Sequence, residues 1–302
     1  MSKYSYDFSV IGGDKRQYYL ARMLKKYGYR VCTYLLESFQ QQSEFDTINS
    51  LELAIQSSRN ILAPIPMSTE KNGSKVLVEF QDKMIPIEQF KVRMQAEQRL
   101  FAGCMEEELK EELLKKGVVI FDYMNRNDIT IYNSIATAEG IIAEAICHSP
   151  KNIHGSKCVV LGYGVCGKTI VQYLKGMGAH VTVCVRRNEV KAQAKLVADQ
   201  VVFMEGMITH LQDSDFIFNT IPEMILNASV LESLSKRTMI FDIASGVGGI
   251  DYDKAKEIGI KSYLCKGLPG KYAPESSARM LADVILQELK QKKRSNHKKE
   301  KV

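Results

Sequence analysis

The chain has 302 residues, 45% of them hydrophobic, and a formal net charge of +6, so it is long enough for two globular domains with separate cores. No apolar run reaches the roughly 18 residues of a membrane span, and the N-terminus lacks a signal-peptide core, so we expect no membrane association. The seven cysteines show no C-x-x-C spacing and no cluster with histidine, so we expect neither disulfides nor a metal in a reducing cytoplasm.

The first 128 residues are predicted to form an N-terminal α/β domain on the substrate side. A strand runs into Gly12-Gly13, and Asp14 is placed to cap the following helix. Because Gly-Gly-Asp is not G-x-G-x-x-G, we expect no dinucleotide at this turn. The predicted elements are a strand over 8–11, a helix over 14–27, a strand over 30–36, a helix over 51–57, a strand over 60–63, a strand or lid over 76–80, a helix over 93–116 broken near Gly103, and a last strand over 118–123.

A long helix is predicted over 129–149. Its apolar residues recur at helical spacing, and at 1.5 Å per residue it spans roughly 25–30 Å. That length is enough to cross from one domain to the next. The segment that follows, Ser149-Pro150-Lys151-Asn152, marks the start of the second domain, over 150–273.

The strongest motif opens this second domain. An apolar strand over 158–161 leads into G-x-G-x-x-G, and a helix and a second strand over 181–185 follow. Gly162 permits the tight turn, Gly164 lets the backbone approach a pyrophosphate, and Gly167 lets helix and strand pack closely. The amides around Val165 and Cys166 would receive the phosphates at the helix N-terminus. The alternative is an α/β unit with a glycine turn and no nucleotide.

The residues after the second strand indicate which nucleotide binds. NAD-binding units place Asp or Glu about 20 residues beyond the glycines. Here Arg186 and Arg187 occupy that position, and guanidinium groups suit the 2′-phosphate of NADP. The alternative is that both arginines are solvated loop charges.

Three later strands are predicted to end in small or polar turns. Ligands bind at the carboxyl ends of strands in a doubly wound sheet. We therefore expect cofactor contacts from these turns, at Thr220, Ile221, Pro222, Ala244, Ser245, Leu268 and Pro269.

The C-terminal part begins with an amphipathic helix over 274–289 that is predicted to pack back on the first domain. Seven Lys/Arg and one Glu follow over 290–302 and account for the whole net charge. A nucleic-acid-binding protein would carry its basic face on a folded domain, so we expect no nucleic acid. The composition predicts a disordered basic tail, with attraction to an acidic partner as the alternative.

Several blocks together resemble the A-subunit family of dipicolinate synthase, from spore-forming bacteria. The resemblance covers residues 8–289. The glycine loop alone is common to many families, whereas the other blocks are specific. The blocks are residues 10–17 (Val-Ile-Gly-Gly-Asp-Lys-Arg-Gln), 64–68 (Pro-Ile-Pro-Met-Ser), 132–140, the glycine loop with Arg186 and Arg187, and 267–274 (Gly-Leu-Pro-Gly-Lys-Tyr-Ala-Pro).

The resemblance implies an α/β fold of two Rossmann-like, doubly wound domains of the formate/glycerate dehydrogenase type, with a cleft between them. It implies oxidation of a dihydro- or hydroxytetrahydro-dipicolinate of the lysine branch to pyridine-2,6-dicarboxylate, with hydride passing to NADP⁺. It also implies a flavoprotein-like B-subunit as partner, and the mother-cell cytoplasm of a sporulating bacterium as location. We expect a homo-oligomer as well.

A dicarboxylate substrate calls for cations and hydrogen-bond donors. Arg16 is the leading candidate for a carboxylate contact, with an exposed first-turn side chain as the alternative. Asn133, Ser134 and Thr137 could donate neutral hydrogen bonds from the crossing helix, with ordinary capping as the alternative.

No residue is identified as the proton carrier. Of the five histidines, His148 at the end of the crossing helix is a weak candidate. Two other functions stay open. One is a stand-alone NADP-dependent 2-hydroxy-acid or amino-acid dehydrogenase. It is disfavoured because the chain lacks the His/Arg/Glu set that 2-hydroxy-acid dehydrogenases use for catalysis. The other is a nucleotide-binding regulatory module, which the substrate-side blocks disfavour.

Overall fold

The computed structural model describes residues 3–36, 44–71, 74–77, 85–246 and 248–299. The chain divides into two compact units. The first unit contains Met1–Tyr132 and Ala273–Val302, and the second contains Asn133–Tyr272. Each unit is built around a six-stranded sheet in which every neighbouring pair is parallel. The prediction of two Rossmann-like domains is confirmed.

The sheet of the first unit has the strand order β3-β2-β1-β4-β7-β8, which is the Rossmann order. A separate antiparallel hairpin is formed by β5 and β6. Residues 78–80 of the predicted strand or lid lie outside the described part of the chain. The strands are β1 (Tyr6–Ile11), β2 (Val31–Tyr34), β3 (Asp46–Thr47), β4 (Ser58–Leu62), β5 (Ser68–Lys71), β6 (Ser74–Leu77), β7 (Arg99–Ala102) and β8 (Val119–Asp122).

The helices of the first unit cover the two faces of this sheet. Helix α1 begins after a capping box, in which the Asp14 side chain accepts from the Arg16 amide and the Gln17 side chain accepts from the Asp14 amide. Leu20, Ala21 and Leu24 bury its apolar face. The helices are α1 (Lys15–Lys26), α2 (Leu51–Gln56), α3 (Ile87–Arg93) and α4 (Glu107–Lys115).

The prediction of a helix over 93–116, broken near Gly103, is confirmed for α4 and is wrong for residues 94–106. Residues Arg99–Ala102 form β7, which lies between β4 and β8 in the sheet. Leu100, Phe101 and Ala102 are buried, and Leu100 belongs to one core cluster while Phe101 belongs to another. The stretch misled because helix-forming residues flank a strand of only four residues, and tertiary burial overrides such local propensity.

Helix α5 (Asn127–His148) is the predicted crossing helix, and the division between the units falls within it, after Tyr132. Ile129 packs in the core of the first unit. Ala138, Ile141, Ile142 and Ala145 pack in the core of the second unit, against residues of its sheet. One continuous helix therefore contributes to both cores.

The second unit repeats the same strand order, as β11-β10-β9-β12-β13-β14. The first two strands match the predicted strands over 158–161 and 181–185 to within one residue at either end. The six strands are β9 (Lys157–Leu161), β10 (His180–Val185), β11 (Gln200–Phe203), β12 (Phe216–Asn219), β13 (Met239–Asp242) and β14 (Lys261–Leu264). The helices are α6 (Val165–Gly176), α7 (Asn188–Ala194), α8 (Ile208–Leu211), α9 (Ala228–Glu232), α10 (Tyr252–Ile258) and α11 (Leu268–Tyr272).

Helix α12 (Pro274–Lys299) returns to the first unit, as predicted, and buries Ala278, Leu281 and Ile285 in the core that contains Phe8. The predicted end at Leu289 is ten residues too early, so the prediction of a disordered tail is wrong for the helical backbone of 290–299. That stretch contains no Gly or Pro and is rich in Lys, Arg and Gln, which are good helix formers. None of the helices in the described ranges has the length and apolarity needed to cross a membrane.

Candidate active site

The glycine turn of the second unit has the geometry that its sequence predicts. Gly162 has a φ of 92°, a left-handed conformation that favours glycine. A Cβ added to Gly167 would lie 2.4 Å from the Gly162 carbonyl oxygen, so α6 and β9 pack at a distance that only glycine permits. The turn thus brings the start of α6 directly over the carboxyl end of β9.

The start of α6 presents free backbone amides. The N-cap is Gly164, which has no side chain to accept hydrogen bonds from the first turn. The first amides of a helix have no partner within the helix, and the helix dipole favours an anion there. A Cβ added to Gly164 would meet no heavy atom within 4 Å, so space remains beside these amides. Val165 is exposed, and burial raises the pKa of the Cys166 thiol, so this cysteine stays protonated.

A groove of about 210 Å³ runs from this turn to the end of β10. It combines the backbone of the turn with two arginines and a few apolar side chains. Its lining residues are Gly162, Tyr163, Gly164, Cys184, Val185, Arg186, Arg187, Val190, Met204 and Ile221. A mostly apolar groove beside free amides and cations fits the adenosine part of a dinucleotide.

Arg186 is not free. Its Nη1 and Nη2 atoms donate to Oε1 and Oε2 of Glu223, at 2.9 Å and 2.6 Å. Hydrogen bonds from this guanidinium hold the pKa of the Glu223 carboxyl below its usual value. Arg187 is exposed just before α7, and it makes no ion pair with a residue of the described ranges.

The turns after β12 and β13 are joined by a buried carboxylate, Asp242. It accepts hydrogen bonds from the Asn219 side chain (3.0 Å), the Ala244 amide (2.8 Å), the Gly249 amide (2.7 Å) and the Tyr252 hydroxyl (2.9 Å). Burial, and then the nearby Asp242 charge, raise the pKa of Tyr252 well above its ordinary value. This network holds both turns in a fixed arrangement at the carboxyl edge of the sheet.

The predicted contacts in these turns differ in exposure. Ile221 lines the groove, and Pro222 and Ser245 are exposed. Ala244 is buried. The Thr220 hydroxyl donates to the carbonyl of Leu161 at 2.8 Å and so stabilises the backbone just before the glycine turn.

The last predicted cofactor contacts, Leu268 and Pro269, are buried at the start of α11. A Cβ added to Gly140 of α5 would lie 2.9 Å from the Leu268 Cβ, so α5 and α11 pack tightly at this point. The packing accounts for Leu268 without a ligand, and its contact with the cofactor stays a prediction.

In the first unit, Arg16 is buried rather than an exposed first-turn side chain. Its Nε lies 3.0 Å from both carboxylate oxygens of Asp14, and its Nη2 lies 2.7 Å from Oδ2 of Asp14. Nη2 also donates to the carbonyl oxygen of Ile65, whose peptide bond with Pro66 is cis. Nη1 takes part in none of these bonds. Two of the blocks that carry the family resemblance therefore meet through Arg16.

A second buried ion pair lies at the same carboxyl edge of this sheet. Lys110 Nζ lies 3.0 Å from Asp122 Oδ2, and the Asp122 side chain is only 3% exposed. Asp122 also accepts from the amides of Met105 and Met124, so it fixes the loops after β7 and β8.

The three predicted donors on α5 lie beyond its first turn, so helix capping does not explain them. Thr137 is buried, and its hydroxyl donates to the Asn133 carbonyl at 2.9 Å. The Ser134 hydroxyl lies 2.7 Å from the hydroxyl of Thr169 on α6. Asn133 is half-buried. These bonds of Ser134 and Thr137 serve the second unit itself, and the role of the three residues in substrate binding stays a prediction.

His148 lies far from the glycine turn along α5. Its ring packs edge-on against Tyr263, with the centroids 4.3 Å apart. Three residues later, Lys151 pairs with Asp215, which immediately precedes β12 and so marks the amino edge of the sheet. The glycine turn is at the opposite, carboxyl edge. The structure therefore gives no support to the weak prediction of a catalytic His148.

Among the residues that sequence reasoning missed are three polar ones that position the site: Asn219, Glu223 and Asp242. Asn219 and Asp242 each end a strand just before a predicted ligand turn, and a polar residue at such a position is a signal that could have been used. Glu223 gives no comparable signal, because its pairing with Arg186 brings together residues 37 positions apart.

Comparison with known proteins gives consistent matches across both units. The model of the N-terminal domain of the dipicolinate synthase A-subunit matches residues 7–124. The model of the D-isomer specific 2-hydroxyacid dehydrogenase NAD binding domain matches residues 129–249. The second match indicates a dehydrogenase-type domain for a nicotinamide dinucleotide.

Individual relatives match nearly the whole chain. The dipicolinate synthase A-subunit of Bacillus subtilis (strain 168) is 34% identical over 285 residues, covering 92% of this chain and 93% of the relative. The crystal structure of the same subunit from Bacillus halodurans superposes with a TM-score of 0.78 at 28% identity, covering 96% of this chain and 99% of that one. The crystal structure of the Bacillus subtilis protein also gives a TM-score of 0.78, at 31% identity, covering 96% and 97%.

Proposed function

Because the chain belongs to the family of the dipicolinate synthase A-subunit, we propose that it is the NADP-dependent oxidising subunit of a dipicolinate synthase. Its substrate is a dihydro- or hydroxytetrahydro-dipicolinate of the lysine branch, and its product is pyridine-2,6-dicarboxylate. The match to a dehydrogenase NAD-binding domain supports an oxidoreductase.

The observation that carries the proposal is the combination of an open helix N-terminus with two arginines on one groove. The free amides after Gly164 would hold the pyrophosphate, and Arg186 and Arg187 would hold the 2′-phosphate. The space beside Gly164 is where a phosphate can approach the backbone. Bound NADP⁺ supplies the hydride acceptor.

The substrate places a different demand on the protein. A hydroxytetrahydro substrate first loses water. The dihydropyridine then becomes aromatic when a hydride passes to NADP⁺ and a proton is released to solvent, so the residues have mainly to bind and orient a dianion. Arg16 supports this role, because Asp14 and the Ile65 carbonyl fix its guanidinium while Nη1 is outside those bonds. Its buried setting strengthens an interaction with a carboxylate by lowering the local dielectric.

The cellular setting is proposed on the basis of the family as well. The related proteins are named as subunits, which supports a multi-subunit enzyme. We propose that the companion is a flavoprotein-like B-subunit, that this chain also self-associates, and that the reaction takes place in the mother-cell cytoplasm during sporulation.

The test is a direct assay of product formation. Purified protein is mixed with enzymatically generated dihydrodipicolinate and either NADP⁺ or NAD⁺, with and without the B-subunit, and the absorbance of pyridine dicarboxylate is followed. We expect product to form faster with NADP⁺ than with NAD⁺, and faster than in a mixture without the protein, which measures spontaneous oxidation. Turnover of a simple 2-hydroxy acid in place of the dihydropyridine would contradict the proposal.

A further inference from the structure

We propose that Glu223 is a specificity-determining residue, which occupies the Arg186 guanidinium in place of the 2′-phosphate of NADP and so limits affinity for that nucleotide. This inference rests on the proposed use of NADP. It concerns the one acidic side chain that the structure pairs with either of the two arginines among the described residues.

The pairing geometry makes the Glu223 carboxylate and a phosphate mutually exclusive at the Nη1–Nη2 edge of Arg186. Both Nη atoms of Arg186 point at the two oxygens of one carboxylate, which is the bidentate arrangement that a phosphate would also adopt. A guanidinium that donates along this edge to Glu223 cannot donate along the same edge to a phosphate. Binding of a phosphate along the Nη1–Nη2 edge of Arg186 therefore requires displacement of Glu223.

The side chain of Glu223 is exposed, but the backbone that leads to it is held by the buried network of Asp242 and Asn219. Glu223 lies two residues beyond Ile221, which lines the groove. Asn219 holds Ile221 at both ends, since its Oδ1 accepts from the Ile221 amide and its Nδ2 donates to the Ile221 carbonyl. Asp242 in turn holds Asn219. The backbone two residues before Glu223 is thus held by the buried network.

The ion pair between Arg186 and Glu223 is weak enough for a phosphate to displace the carboxylate. The side chains of Arg186 and Glu223 are 45% and 61% exposed, and exposed ion pairs are weak because water and salt screen them. A phosphate dianion that also contacts Arg187 carries more charge and more acceptors than one carboxylate. NADP can therefore displace Glu223, at a cost in affinity.

The test is Glu223→Gln, studied by titration calorimetry with NADP⁺ and NAD⁺ on the full chain. We expect NADP⁺ to bind about three- to fivefold more tightly, the factor that corresponds to an exposed ion pair. NAD⁺ affinity should stay the same. Glu232→Gln is the matched control, because it removes another exposed acid of the same unit that pairs with a cation, Lys254, and it should leave both affinities unchanged.

A double-mutant cycle identifies the partner. In an Arg186→Ala background, Glu223→Gln should change NADP⁺ affinity by less than about twofold, since its partner is gone. An equal gain in both backgrounds would show a general charge effect and overturn the proposal. Weaker NAD⁺ binding by Glu223→Gln would also overturn it, by showing that the acid holds the ribose.

Failure of the proposed function gives a different result. If the unaltered protein binds both nucleotides equally, the preference for NADP is wrong. A selective gain of NADP⁺ affinity in Glu223→Gln would still support competition at Arg186.

Discussion

The two units have the same strand order, but the turn between the first strand and the first helix is built differently in each. In the first unit the Asp14 carboxylate caps α1 and pairs with Arg16. In the second unit Gly164 caps α6 and offers no side chain at all. Both helix N-termini attract negative charge. One is satisfied by an internal carboxylate, and the other is left for a ligand.

This contrast shows that the fold alone does not make a nucleotide site. The same topology places a helix N-terminus over the sheet in both units, yet only the second unit has an N-cap with no side chain. What decides is whether a short acidic side chain stands at the N-cap. In the first unit the N-cap side chain, Asp14, also holds the Arg16 guanidinium in place. The first unit therefore has a fixed cation near the turn where the second unit has an open helix N-terminus.

The largest expected effect is that of Gly164→Ala. The φ of −76° at Gly164 tolerates alanine, and its Cβ would meet no protein atom within 4 Å, so stability should be unchanged. The methyl group would nevertheless occupy the space through which phosphate approaches. Losing two charge-assisted contacts should weaken NADP⁺ binding by roughly 100-fold or more, measured by calorimetry.

Gly167→Ala is the contrasting variant. Its Cβ would clash with the Gly162 carbonyl at 2.4 Å, a backbone atom that cannot move aside cheaply. Here the unfolding temperature should fall as well, by the equivalent of about 1–3 kcal/mol. Normal NADP⁺ binding by Gly164→Ala would contradict the proposed difference between the two units, because the open N-terminus of α6 would then not be the phosphate site.

In the first unit, Asp14→Ala should destabilise the fold by about 2–3 kcal/mol, because it removes the cap and leaves the Arg16 cation buried without its carboxylate. Asp14→Asn keeps the cap and removes only the charge, so it should lose less. Urea unfolding measures both changes. NADP⁺ affinity should stay the same in both variants, and a parallel loss of affinity would show that the first unit binds nucleotide too.

The arginine side of the comparison is tested by the double variant Arg186→Ala, Arg187→Ala. Loss of charge-assisted contacts to the 2′-phosphate should cost about 1.5–3 kcal/mol, or roughly 10- to 150-fold in NADP⁺ affinity. NAD⁺ affinity should change little. Calorimetry that found equal affinity of the unaltered protein for both nucleotides would end this assignment.

The smallest effect is expected from truncation after Leu289. The core contacts of α12 among the side chains that the structure describes lie at or before this residue, and the removed stretch is almost entirely polar. The unfolding temperature and the NADP⁺ affinity should stay within the error of measurement. If the B-subunit is attracted by the basic end, complex formation should slow at low salt only. Complete loss of the complex at two salt concentrations would instead show a structured contact.

The sequence was sufficient for the parts of the fold that carry local signals. The strands of the second unit are apolar runs bounded by turns, and Gly162 and Gly167 have the predicted backbone roles. Strand β7 was missed because four residues between helix-forming segments carry no period of their own. The helical end of α12 was missed because charge density was given more weight than helix propensity.

The site was predictable to a smaller extent. The arginines were found by their position after β10, but Glu223 was not, because an ion pair across a groove depends on the folded sheet. Arg16 was expected on the basis of the resemblance, whereas its burial and its pairing with Asp14 and Ile65 needed coordinates.

The return of α12 to the first unit has a consequence for synthesis on the ribosome. Domains generally fold as they emerge, beginning at the N-terminus. The first unit cannot do so completely, because the core around Phe8 is closed by Ala278, Leu281 and Ile285 from the far end of the chain. The second unit, by contrast, is one continuous stretch, Asn133–Tyr272. The first unit, whose synthesis begins first, is therefore completed last. The apolar face that α12 covers stays exposed until that helix is synthesised, after the whole second unit.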